Sequence, residues 1–68
     1  MSNLSETVKD LRKKYNITQE ELSLKSGVGL RFVRDLEQGK ESLRLDKVNQ
    51  VLEYFNYEMS PTPIQNNR

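Results

Sequence analysis

The stretch TQEELSLKSGVGLRFVRDL, residues 18–36, sets two short helix-like runs on either side of a turn carrying Gly27 and Gly29. Isolated helices of under about a dozen residues are marginal in water, so the two runs must be held by each other and by their flanks. Thr18 followed three residues later by Glu21 is a capping-box pattern. It predicts a helix over Gln19 to Lys25 that stops before Gly27, a residue able to take the left-handed conformation at a helix end. The next run starts near Gly29 or Leu30 and reaches Gln38, with Val33 and Leu36 facing inward, and Gly39 ends it.

Upstream, Leu4, Val8, Leu11 and Tyr15 fall at i, i+4, i+7 and i+11, one face of an amphipathic helix. Ser2 or Ser5 is a candidate cap for it and Asn16 its stop. Downstream of the loop GKESLR, apolar residues return at Leu45, Val48, Leu52 and Phe55, with Val51 beside them, which predicts a fourth amphipathic helix ending at Asn56. Tyr57-Glu58-Met59 then alternates apolar and charged residues, and 56–60 reads as a short strand. Pro61 and Pro63 break regular structure, so the tail PTPIQNNR is expected to be mobile. The chain thus divides into a folded unit over 1–60 and a tail over 61–68.

At 68 residues there is room for one domain with a small core, and oligomerisation is a common supplement at this size. Hydrophobic residues make up 34% and charged residues 31%, the balance of a soluble chain. Cysteine is absent, which removes disulfides and thiolate metal sites and suits a reducing cytoplasm. No run approaches the roughly 18 apolar residues of a membrane span, and MSNLSETVKD has no signal-peptide pattern. Histidine is also absent, which excludes Ser-His-Asp catalysis, most zinc sites and the usual neutral-pH proton shuttle. No GxGxxG or GxxxxGK[ST] phosphate loop occurs. Glu20-Glu21 at the start of a helix favours its positive dipole end rather than acid/base chemistry. No enzyme activity, cofactor, metal or small-molecule substrate is expected.

The net charge is only +1, but the cations cluster: Lys9, Arg12, Lys13 and Lys14 early, then Lys25, Arg31, Arg34, Lys40 and Arg44. Two short helices joined through a tight glycine turn form a helix-turn-helix, whose second helix can enter the DNA major groove. Leu22, Val28, Val33 and Leu36 suit the internal contacts that fix the angle between the helices. Ser23 is small where the second helix crosses closely.

On these residues, TQEELSLKSGVGLRFVRDLEQGK resembles the Cro/lambda-repressor-like, or XRE-type, helix-turn-helix family, and the similarity runs from about Leu4 to Phe55. GLRFVRDLEQGK followed by RLDKVNQVLEYFNYEM is most similar to small antitoxins of the HipB type, partners of Hip-type serine/threonine kinase toxins. The resemblance implies an all-α, four-helix domain with a short C-terminal strand that pairs across a dimer.

It also implies roles. Gln19 holds a phosphate through its side chain and backbone N–H, aided by the helix dipole. Gly29, Leu30, Arg31 and Arg34 face base edges or the flanking backbone, and arginine can make bidentate contacts to guanine. Lys40 and Arg44 match phosphate-binding positions. Arg12 and Glu37 form a structural ion pair. Gly29 and Leu30 stand where polar base-readers often sit, so Leu30 is suited to a thymine methyl, and Phe32 packs at the edge of the core or touches DNA. Val51, Leu52, Phe55, Tyr57 and Met59 are the candidate dimer contacts. The resulting expectation is a homodimeric, cytoplasmic, nucleoid-associated repressor of its own toxin–antitoxin operon, acting on a palindromic operator. Its rivals are a free-standing phage or mobile-element repressor and a helical protein-interaction module without DNA binding.

Overall fold

The computed structural model describes residues 3–64, and its elements are α1 (Asn3–Lys14), α2 (Gln19–Ser26), α3 (Leu30–Glu37) and α4 (Leu45–Tyr54). The fold is all-α. Val8, Leu11, Leu22, Val28, Val33, Leu36, Val48, Val51, Leu52 and Phe55 form one buried cluster, edged by the half-buried Leu4, Ile17, Phe32 and Leu43. Every helix sends residues into it, so the two short central helices are held by the outer pair. Phe32 takes the packing role at the core's edge.

The helix ends repeat one device. Asn16 has φ +58; its N–H donates to the Lys13 carbonyl at 3.0 Å while Ile17 N–H donates to the Arg12 carbonyl at 3.1 Å. This crossed pair caps the orphan carbonyls of α1. Gly39 (φ +84) and Asn56 (φ +63) close α3 and α4 in the same way, through Lys40 N–H to the Asp35 carbonyl and Tyr57 N–H to the Leu52 carbonyl. Asparagine tolerates the left-handed region better than most side chains, which is why the two Asn stops act as the glycine does.

Helix α2 starts on a complete capping box: Glu21 N–H donates to Thr18 Oγ1 at 3.0 Å and Thr18 N–H to Glu21 Oε1 at 2.8 Å. It runs one residue beyond Lys25, to Ser26, whose hydroxyl donates back to the Leu22 carbonyl at 2.7 Å. Only Leu22 of this helix is buried, a contribution of about 1.5–3 kcal/mol. Leu24 is left largely in solvent.

Several expectations are corrected. Ser5 does not cap α1: it lies inside the first turns and is itself buried, and Ser2 lies outside the described residues. Tyr15 does not complete the inward face, because α1 stops at Lys14 and the turn swings the ring outward; it is half exposed and rests on Phe55 at 5.4 Å between centroids. Leu45, the first residue of α4, is also mostly exposed, and Val48 is the first α4 residue to reach the core.

After Asn56 the chain continues without regular structure, and no strand forms among the described residues. A strand is a paired element, and the described residues offer no other strand for 56–60 to join. Of the tail, Pro61 to Ile64 are exposed, and residues 65–68 lie outside the described region. No helix is long and apolar enough to cross a membrane among the described residues.

Candidate nucleic-acid interface

Helix α3 carries Val33, Leu36 and Glu37 on its buried side. Arg31, Arg34 and Gln38 are spaced i, i+3 and i+7 on the other side, and all three are exposed. This is the two-faced pattern of a helix that docks on a core and presents its second face outward. Neither the Arg31 nor the Arg34 side chain makes a hydrogen bond or ion pair among the described residues. The other arginines of the described region are engaged: Arg12 with Glu37, and Arg44 with Asp46. Two uncommitted guanidinium groups side by side on an outward helix face are suited to an external polyanion.

The turn that aims α3 is fixed from both sides. Gly27 takes φ +84 and its N–H donates to the Ser23 carbonyl at 3.0 Å. The Ser23 hydroxyl donates across the turn to the Val28 carbonyl at 2.6 Å, so this serine does more than stay small. From α4, the Gln50 amide donates to the Ser26 carbonyl at 3.0 Å and would meet a Cβ on Gly27 at 2.9 Å. Sequence reasoning missed Gln50: 24 residues separate it from its partner, and no local pattern marks such a contact.

Gly29 caps α3 with φ −71 and no side-chain hydrogen bond, and a Cβ there would meet nothing within 4 Å. Unlike Gly27 and Gly39, it is not demanded by its backbone angle or by its neighbours. Leu30 beside it is half-exposed.

A buried network stands behind this face. Arg12 Nε donates to Glu37 Oε2 at 2.7 Å and Nη2 to Oε1 at 3.0 Å, with the Glu37 side chain only 3% exposed. Arg12 Nη1 also donates to the Ile17 carbonyl at 3.1 Å, tying the α1–α2 link into the same cluster. The hydrogen bond to Glu37 holds the Arg12 guanidinium even further toward its charged form than usual, against the opposing effect of burial.

Gln19 enters this network from a side the sequence did not reveal. Its Nε2 donates to Glu37 Oε1 at 3.0 Å. Carboxylate oxygens only accept, so the amide must turn its NH2 inward. That corrects the picture of a Gln19 side chain reaching freely for a phosphate: the backbone N–H and at most one amide hydrogen are left for that purpose. The N-terminus of α2 nevertheless borders an open cleft of about 530 Å³ lined on its other side by Arg12 and Lys13. Glu20 lines it too and opposes an anion there.

Lys40 and Arg44 flank the α3–α4 loop. Lys40 Nζ lies 3.6 Å from Asp35 Oδ2, a loose exposed pair. Arg44 binds Asp46 through both Nε and Nη2, at 3.2 and 2.8 Å. This contact holds the Asp46 carboxyl below its ordinary range.

Of the candidate dimer residues, Val51, Leu52 and Phe55 are at most 4% exposed within their own chain. They are corrected to core positions, since α4 turns these side chains into its own cluster. Tyr57 and Met59 remain about half exposed.

The helix-turn-helix family matches residues 8–61 of the chain. A protein of Sinorhizobium fredii (strain NBRC 101917 / NGR234), described as an uncharacterized HTH-type transcriptional regulator, is 50% identical over 46 residues. The aligned part is 68% of this chain and 60% of that relative's length, so the match spans less than two thirds of the relative.

Proposed function

This chain belongs to the helix-turn-helix family, and from that premise we propose that it is a DNA-binding transcriptional regulator that reads an operator with α3. The description of the Sinorhizobium fredii relative as an HTH-type transcriptional regulator supports a regulator rather than an enzyme. The observation that carries the reading is the pair Arg31 and Arg34, exposed and uncommitted on the outward face of a helix locked at Gly27. In this reading Arg31 and Arg34 meet base edges in the major groove, and Leu30 lies against a thymine methyl. Gly29 admits close approach of the DNA to the start of α3. Lys40, the N-terminus of α2 at Gln19, and Arg44 lie along the phosphates, which position the protein without reading sequence.

The finer role we propose is that of a HipB-type antitoxin: a homodimer on a palindromic operator that represses its own operon and binds a Hip-type serine/threonine kinase toxin in the cytoplasm. Support for this step comes from the run RLDKVNQVLEYFNYEM, which resembles the fourth helix and trailing strand of such antitoxins. Two measurements test the proposal separately. A gel shift with the chain's own upstream DNA tests operator binding; failure to outcompete random duplex overturns it. Co-expression with the product of the adjacent reading frame tests the antitoxin role. A stable complex with a kinase-like protein supports that role, and a neighbour unrelated to kinases removes it while leaving the DNA reading intact.

A further inference from the structure

Two carbonyls around the α2–α3 turn are taken by side-chain donors, and the donors come from different places. The Ser23 hydroxyl, which binds the Val28 carbonyl, belongs to α2 and moves with it. The Gln50 amide, which binds the Ser26 carbonyl at 3.0 Å, belongs to α4. The backbone that carries Gln50 is pinned, because Val48, Val51 and Leu52 around it are at most 3% exposed. A carbonyl oxygen only accepts, so the amide must present its NH2 to Ser26. Gly27 leaves room for this approach, since a Cβ on it would stand 2.9 Å from the same nitrogen. Ser26 is the last residue of α2, where helix carbonyls lack partners in their own helix. Helix α3 packs chiefly on α1 and α2, and α4 packs chiefly on α2. The position of α3 relative to α4 is therefore transmitted through α2 and the turn.

We propose that Gln50 is a positioning residue for operator reading. By holding the Ser26 carbonyl it fixes the direction in which α3 leaves the turn, and with it the aim of Arg31 and Arg34. The inference rests on the DNA-reading role of α3 proposed above and adds to it a residue from outside the helix-turn-helix. Bidentate contact between an arginine and a guanine demands a fixed approach. Phosphate contacts carry no sequence information and hold the protein on any duplex. A loosened turn therefore weakens specific binding and spares non-specific binding. Gln50 is exposed, so water replaces its bond on unfolding at little cost. What the bond supplies is aim, and one net hydrogen bond sets its size at a factor of about two to ten.

Gln50→Met keeps the length of the side chain and removes the donor without altering charge. Gln50→Lys restores a donor on a longer stem. Both are compared as full chains with the unmodified protein, by titrating its own upstream duplex and a scrambled one, with urea unfolding alongside. In Q50M the preference for the upstream duplex is expected to fall about two- to tenfold, at unchanged affinity for the scrambled one. Q50K should recover the preference, which as a ratio cancels the effect of its added charge on both duplexes. An unchanged preference in Q50M overturns the inference, and so does a loss that Q50K fails to reverse. Equal weakening on both duplexes with a lowered urea midpoint also overturns it, because Gln50 would then serve folding alone. An unmodified chain without preference overturns the reading of α3 and this inference with it.

Discussion

Arg31 and Arg34 differ from the other arginines of the described region in that no carboxylate holds them. Their desolvation at a DNA edge therefore breaks no internal pair. Arg31→Ala or Arg34→Ala is expected to weaken operator binding by about 1–3 kcal/mol if that residue reads a base, with little effect on random duplex. Lys40→Ala, by contrast, should lower affinity for all sequences and reduce the salt slope by about one. Titration of both duplexes across a salt series separates the two classes; equal losses on both for Arg31 and Arg34 make them backbone contacts. Arg44 belongs to a third case, because Asp46 already occupies its guanidinium. Asp46→Asn should therefore tighten binding to operator and random duplex alike. Its effect on folding should be slight, since the pair is exposed. The sign of the pH effect follows from the lowered Asp46 carboxyl: whatever the pair adds to stability is present above the ordinary Asp range and is lost as pH falls through the lowered value. Unchanged DNA affinity of the Asp46→Asn variant would remove Arg44 from the interface.

At the scale of elements, α2 and α3 are eight residues each, and their relative angle depends on two clamps. One is the Arg12–Glu37–Gln19 cluster, which ties α1, α2 and α3 together. Glu37→Ala leaves a mostly buried guanidinium unpaired, and the expected loss is about 3 kcal/mol in urea unfolding. Arg12→Ala should cost a comparable amount, because it leaves the more deeply buried Glu37 carboxylate with Gln19 alone. A double-mutant cycle should show strong coupling; additive single effects would contradict a shared network. The other clamp is the turn. Gly27→Ala puts a Cβ into the left-handed region and against the Gln50 amide at 2.9 Å, for a loss of about 2 kcal/mol. Gly29→Ala meets open space and should leave stability unharmed while weakening DNA binding. Thermal unfolding paired with operator titration distinguishes the two glycines.

Much of this architecture was legible in the sequence, since each helix announces itself by a local rule. The Thr18–Glu21 box, the apolar period through Val8 and Leu11, and the stops at Asn16, Gly39 and Asn56 are all short-range signals. Periodicity failed at helix edges, where Tyr15 and Leu45 kept the spacing but lay beyond or at the first turn of a helix. It also failed to separate core from interface in α4, because an apolar side chain reads alike in either place. Val51, Leu52 and Phe55 illustrate this. Contacts such as Gln19 with Glu37 and Gln50 with Ser26 join polar groups 18 and 24 residues apart, and no pattern along the chain encodes them. The roles of Arg31, Arg34 and Lys40 came from family resemblance, and their exposure supports those roles as proposals.

For the molecule as a whole, one reading helix per chain is too little for a long operator. The homodimer proposed above doubles it, and would set the two α3 helices on successive turns of DNA, roughly 34–36 Å apart. The most direct test is binding of the full chain, and of the chain truncated after Asn56, to its own upstream duplex and to a scrambled one. The full chain should bind the upstream duplex at least about a thousandfold more tightly than the scrambled one at physiological salt. The truncated chain should sediment as a monomer and fall to half-site affinity. Equal binding of the full chain to both duplexes would contradict sequence-specific recognition by α3.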